Sequence, residues 1–184
     1  LYGNQRDHDR DSHIRITDLR SSLDQAKSFL EIQRQISRFI SEYGLSHFFY
    51  KQIFRGDLSE TPFVFTLTDI PLKWLKHYQA SEYAKIDPAW QYSLNNVVPI
   101  DNFELASMSD VYHDRRLSRF FDDLYSNLAP RFYVIPVHGS CCLATFVIST
   151  DHLGDEGREI LQTSLDTMVH TGHLLYAAVH QVMD

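Results

Sequence analysis

From Leu161 onward, apolar or small residues recur at Leu165, Met168, Gly172, Leu175, Val179 and Val182, alternating steps of four and three. Such steps return to one side of an α-helix, so the chain ends in a long helix with a continuous apolar seam. A seam of that length cannot be left in water. It must pack on this chain's own sheet or on a second subunit, and the rest of the sequence has to supply the partner surface. At 184 residues the chain is long enough for one substantial core and short for two.

The partner surface is legible as strands. Ser46 to Phe54 and Pro62 to Thr68 read as two strands around a turn at Arg55-Gly56-Asp57. Phe132 to Val137 and Cys142 to Ser149 read as another pair, joined around His138-Gly139-Ser140. Together they predict an antiparallel sheet of four or five strands. Asp24 to Tyr43 has helical spacing, with Phe29, Ile32, Ile36, Phe39, Ile40 and Tyr43 on one face and Gly44 closing it. Pro71 suits the first turn of a helix reaching Ser81 or Tyr83, and a short helix follows around Ala89 to Leu94. Pro99 to Leu105 reads as an irregular wall. Ser107 to Asp110 offers caps for a short helix, and Ser118 to Asn127 reads as another, apolar at Phe120, Phe121 and Leu124. Residues 1–18 are polar and aperiodic, an expected irregular arm ahead of a domain spanning 19–184.

Composition narrows the function. The formal net charge is -7 and no dense Lys/Arg stripe occurs, which weighs against this chain gripping a phosphate backbone by itself. No apolar run approaches a membrane span. Cys141 and Cys142 are adjacent, so in a strand they point to opposite faces; they fit a reduced, cytoplasmic protein better than a disulfide framework. Ten histidines are present, His170 and His173 three apart, but none falls in a recognised metal-ligand spacing. No HExxH, Walker or GxSxG motif and no nucleophile–base pair emerges, so the expectation is no enzyme, no metal and no cofactor.

The chemistry concentrates in one stretch. Trp74 and Tyr78 are four apart and share a helical face, and Asp87 follows where Pro88 ends that helix. An indole N–H, a phenolic hydroxyl and a carboxylate suit a small polar ligand head. The bland alternatives are core aromatics and an Asp that merely caps the next helix.

The run Pro71 to Pro88, with Trp74, Tyr78, Asp87 and Pro88 in register, resembles the autoinducer-binding domain of LuxR-type quorum-sensing regulators. Tyr43-Gly44-Leu45, Phe120-Phe121-Asp122 and Ile135-Pro136-Val137 support the resemblance, which extends from about residue 22 onward. It implies an α/β/α sandwich with a central antiparallel sheet of about five strands and helices on both faces. It implies an acyl-homoserine lactone between sheet and helices, a homodimer, and a transcriptional role. DNA would be bound only through a C-terminal helix-turn-helix domain that this chain, ending at Asp184, does not contain. By the resemblance, Trp74 would donate to the lactone carbonyl, Tyr78 would bond the acyl carbonyl, and Asp87 would accept the ligand's amide N–H. Thr145 and Ser149 lie on one side of a late strand and are candidates for an acyl carbonyl or 3-oxo group.

Two departures from the family pattern stand out. Where the family places a tryptophan fifteen residues beyond the aspartate, this chain has Asn102, with Phe103 next to it as a replacement wall. Phe132 and Leu128 stand where glycines are common, so bulk is expected at the sheet edge, shortening or filling the pocket. A filled pocket would favour the alternative function, a ligand-independent interaction module or a truncated antagonist of a related regulator.

Overall fold

The computed structural model describes residues 15–54, 63–109, 113–139 and 142–183. Its centre is one antiparallel sheet of β1 (His47–Phe54), β2 (Phe63–Thr68), β3 (Ile100–Asp101), β4 (Arg131–His138) and β5 (Cys142–Thr150). The spatial order is β2-β1-β5-β4-β3. β5 is the middle strand and is buried on both faces, so its sequence is apolar or small almost throughout. On β1 the two faces separate cleanly, with Phe48, Tyr50 and Gln52 fully buried on one side and Phe49 and Lys51 on the other.

Helices cover both faces. Helix α1 (15–24), α2 (Phe29–Ser41) and α7 (Gly154–Met183) pack on one. There Ile32, Ile36 and Ile40 meet Phe48, Phe146, Ile148, Met168, Leu175 and Val179. On the other lie α3 (Leu72–Ala80), a single 3-10 turn (Tyr83–Lys85), α4 (Pro88–Asn95), α5 (Asn102–Met108) and α6 (Arg115–Asn127). Trp74, Tyr83, Phe120, Phe121 and Leu124 pack there over Phe132 and Val134. The architecture is the α/β/α sandwich that the sequence leads one to expect.

The terminal seam is taken up within the chain. Leu161, Met168, Gly172, Leu175 and Val179 are buried, and Leu165 and Val182 pack at the margin of the same core. A Cβ at Gly172 would come within 3.1 Å of Val137 and 3.2 Å of Phe146, so glycine lets α7 settle onto the sheet. A second subunit sharing this seam is therefore not what its periodicity records.

Several boundaries differ from expectation. The helix read over Asp24 to Tyr43 is interrupted at 25–28, where Ser28 accepts from the Glu31 amide and the Glu31 carboxylate accepts from the Lys27 amide. The described part of α1 already covers 15–18 of the supposed arm, and Leu19 and Leu23 give the helix a buried face among charged neighbours. Residues 99–105 are not irregular: β3 runs straight into α5, whose first turn is capped by Asp101 accepting from the Phe103 and Glu104 amides. The helix expected after Ser107 is absent through Ser109, since α5 ends at Met108. α6 starts at Arg115, capped by Asp114. The 55–57 turn, Asp110, Ser140 and Cys141 lie outside the described residues.

Candidate functional site

The site is assembled by a run of local stop signals. Pro71 occupies the N-cap of α3, whose nine residues place Trp74 and Tyr78 on its inner face. The helix gives way through Glu82, held at φ 53°, into the 3-10 turn, and Asp87 then caps α4 with Pro88 in its first turn. Asp87 accepts the Ala89 amide at 2.9 Å and the Tyr78 hydroxyl at 2.7 Å. One carboxylate thus both caps α4 and anchors the Tyr78 hydroxyl.

Asp87 is buried among apolar groups, and that burial pushes its carboxyl above the usual carboxylate range. The Tyr78 hydroxyl, the Ala89 and Trp90 amides and the charge of Lys51 pull the other way. Lys51 rises from β1 to sit 4.5 Å over the Trp90 ring, its amine lowered by burial and raised in part by Asp87. The Tyr78 phenol is held well above its ordinary value by burial and by Asp87. Among the described residues Asp87 has no salt-bridge partner within 4 Å; its lone pairs are met by one hydroxyl and by backbone amides.

Beside this carboxylate lies a cavity of about 70 Å³. Its floor is Phe49 and Val147, which are direct partners across β1 and β5. α3 contributes Trp74, Leu75 and Tyr78; α6 contributes Phe120 and Leu124; Leu128, Ala129 and Phe132 close it along β4. Tyr83 braces the aromatic wall from behind, 5.1 Å from Phe120, 6.1 Å from Tyr78 and 6.4 Å from Trp74 between ring centres. Outside that layer Asp123 on α6 ties down α3 and the 3-10 turn, bonding His77 Nε2 at 2.7 Å and accepting the Tyr83 hydroxyl. Those bonds, the Tyr83 one foremost, hold the Asp123 carboxyl below its usual range.

Four of the seven residues singled out from the sequence meet at this cavity: Trp74, Tyr78, Asp87 and Ser149. Three do not. Asn102 is buried behind the wall, its Oδ1 accepting the Phe132 amide at 3.2 Å and its Nδ2 reaching the Tyr125 hydroxyl and the Pro130 carbonyl. It fixes Phe132 without facing the cavity. Phe103 points outward, 53% exposed, under the Arg131 guanidinium, because the Asp101 cap turns α5 so that Leu105 faces inward. Thr145 lies under α4, its hydroxyl 2.6 Å from that of Ser93. Phe49, Leu75, Ala129 and Val147 are not singled out by the sequence, although strand alternation puts Phe49 and Val147 on the same face as Ser149.

Among the described residues no group of three or more His, Cys, Asp or Glu could hold a metal ion. No helix there is long and apolar enough to cross a membrane.

The sequence profile of the autoinducer binding domain matches residues 28–181. No curated protein sequence matches the chain. Among solved structures, the fold is similar to the N-acylhomoserine lactone dependent LuxR family transcription factor CepR2 from Burkholderia cenocepacia. The TM-score is 0.72 at 13% identity, over 94% of this chain and 96% of that one. Escherichia coli SdiA matches at 0.69 and 17% identity, over 94% and 68%. SdiA in complex with octanoyl-rac-glycerol matches at 0.68 and 16%, over 94% and 67%. At such identities the likeness shows a shared fold.

Proposed function

Because the chain belongs to the autoinducer-binding domains of LuxR-type quorum-sensing regulators, we propose that its cavity receives an acyl-homoserine lactone or a similar small amphipathic ligand. Domains of this family are sensors, not enzymes. The observation that carries the reading is Asp87: a buried carboxylate, oriented by Tyr78 and Ala89, bordering an apolar cavity and, among the described residues, without a cation bonded to it. An amide N–H from a ligand adds one more donor to the Tyr78 hydroxyl and the backbone amides that already meet this carboxylate, in surroundings where water does not compete. Trp74 brings an indole N–H to the same wall for a lactone carbonyl.

Tyr78 takes a different role in this reading from the one the resemblance implies. Its single proton is committed to Asp87, so it acts on the ligand by holding the carboxylate in place. The acyl chain lies against Phe49, Val147, Phe120 and Leu124, where each buried methylene is worth about 0.8 kcal/mol. The cavity volume of about 70 Å³ holds only part of such a chain, so entry requires side chains of its lining to give way, and Phe132 and Leu128 are among them. Binding then completes the core and stabilises the folded state by mass action. Residues 19–184 act as the sensing unit in the cytoplasm, and the ligand's effect passes to a homodimer and to DNA through a helix-turn-helix domain outside this chain.

The bulk of Phe132 and Leu128 at the cavity also supports a second reading, a ligand-independent interaction module. Thermal unfolding against a panel of acyl-homoserine lactones separates the two. A selective, concentration-dependent rise in midpoint that is lost in Asp87→Ala supports the sensor. An unmoved midpoint across the panel, for a folded sample, supports the interaction module.

A further inference from the structure

We infer that α3 is a gate over the cavity, and that Asp123 on α6 is the positioning residue that holds it shut through His77. This rests on the reading of the cavity as a ligand site. A cavity of about 70 Å³ has to widen to take a whole ligand, so one of its walls has to move. The floor is the least free to do so, because Phe49 and Val147 sit in strands laddered on both sides. α4 and α6 are each anchored by four buried residues and α5 by two. α3 has one, Trp74, and is the wall that opens at least cost. Both its ends are weakly fixed. Pro71 makes no side-chain capping bond, and past the other end Glu82 is held at φ 53°, a left-handed backbone that a non-glycine residue adopts at a cost.

Polar bonds keep α3 in place. Among the described residues its side chains make two hydrogen bonds beyond their own helix, one on each side of the wall. Inside, Tyr78 donates to Asp87, the carboxylate that the ligand's amide N–H approaches. Outside, His77 Nε2 donates to Asp123 at 2.7 Å, and neither residue lines the cavity. The same Asp123 oxygen accepts the Tyr83 hydroxyl, so one carboxylate fastens both α3 and the turn after it to α6. The His77 ring lies 5.6 Å from that of Trp74 and 5.7 Å from that of Tyr83, which carries the restraint into the aromatic wall. A ligand engages the inner bond and never meets the outer one. The outer bond therefore holds the empty and the filled site alike. Its loss speeds entry and exit together and leaves affinity unchanged.

The test is stopped-flow binding of acyl-homoserine lactones to the whole chain, followed by tryptophan fluorescence, with hydrogen exchange of the ligand-free protein alongside. His77→Phe keeps a ring against Trp74 and Tyr83 and removes the bond; Tyr83→Phe does the same for the second bond. Each is expected to raise the association and dissociation rates about fivefold, the usual worth of one such bond, with Kd held within about twofold. His77→Gln, which restores a donor to Asp123, should bring both rates back toward wild type. In the ligand-free protein, amides of 72–80 should exchange faster in His77→Phe while those of α2 keep their rates. Rates that match wild type, or a loss of affinity carried by dissociation alone, overturn the gate and leave the lactone reading intact. If no lactone binds, the lactone reading fails and hydrogen exchange decides the gate. Faster exchange confined to 72–80 in His77→Phe upholds it; unchanged exchange, or a rise shared with α2, overturns it.

Discussion

Replacing Asp87 by asparagine separates what this residue does for the fold from what it does for a ligand. Asparagine keeps the shape and can keep both local bonds: its carbonyl accepts the Ala89 amide, and its amide donates to the Tyr78 oxygen. What it removes is the charge. Burial raises the Asp87 carboxyl, so the ionised form is disfavoured in the folded state. A group whose folded value is raised lends stability while it is protonated, and that contribution is lost as pH rises through the folded value. The Asp87→Asn variant escapes this loss. Without ligand it should therefore match wild type in acid and exceed it once pH passes the raised range.

Tyr78, the two amides and Lys51 compensate much of the cost of the buried charge, so the gain is a small one. For a domain of this size each 1 kcal/mol gained raises the midpoint by roughly 2–4 °C. Binding should move the opposite way. Exchanging a charged acceptor for a neutral one removes most of a contact worth about 1.5–3 kcal/mol, or roughly 10- to 150-fold in affinity. Thermal unfolding across pH, with and without lactone, reads both effects. A variant less stable than wild type at neutral pH, or one that binds lactone as well, would refute the reasoning.

Phe132→Ala should cost the ligand-free chain about 3–5 kcal/mol by leaving a void, yet gain more midpoint than wild type on adding a long-chain lactone, since Phe132 bounds the cavity. Asn102→Ala should cost about 1–3 kcal/mol by orphaning the buried Phe132 amide, without changing which lactone is preferred; a change of preference in calorimetry would put Asn102 in the site. In Asp69→Asn, His47 loses the carboxylate 3.6 Å from its ring that raises it above the ordinary histidine value. That stabilisation is present below the ordinary histidine value and lost as pH rises through the raised one. The variant's deficit in midpoint should therefore be larger in mild acid than in alkali, above a constant loss from the Phe48 and Ser37 bonds.

The elements legible in the sequence are those whose periodicity reports burial on one side. The α7 seam, the strand pairs and the α2 face all belong to that class. What escapes is set by single capping side chains. Ser28 divides what reads as one helix, and Asp101 and Asp114 begin helices where the apolar pattern is silent. The same physics governs the site. Trp74, Tyr78 and Asp87 are legible because a four-residue step and an Asp-Pro stop fix their geometry locally. Asn102, Phe103 and Thr145 are misplaced by the sequence because their surroundings depend on long-range packing: Asn102 on β4, Phe103 on the turn of α5, Thr145 on Ser93 of α4. Phe132 and Leu128, visible in the sequence only as bulk in place of glycine, do stand at the cavity wall.

The central claim is that the Asp87 carboxylate accepts a ligand amide N–H. Calorimetric titration of the unaltered chain with one lactone and its N-methylated counterpart tests it without disturbing the protein. The account predicts that methylation weakens binding roughly 10- to 150-fold in wild type and makes far less difference in Asp87→Asn. Equal affinity for the two ligands in wild type would contradict it.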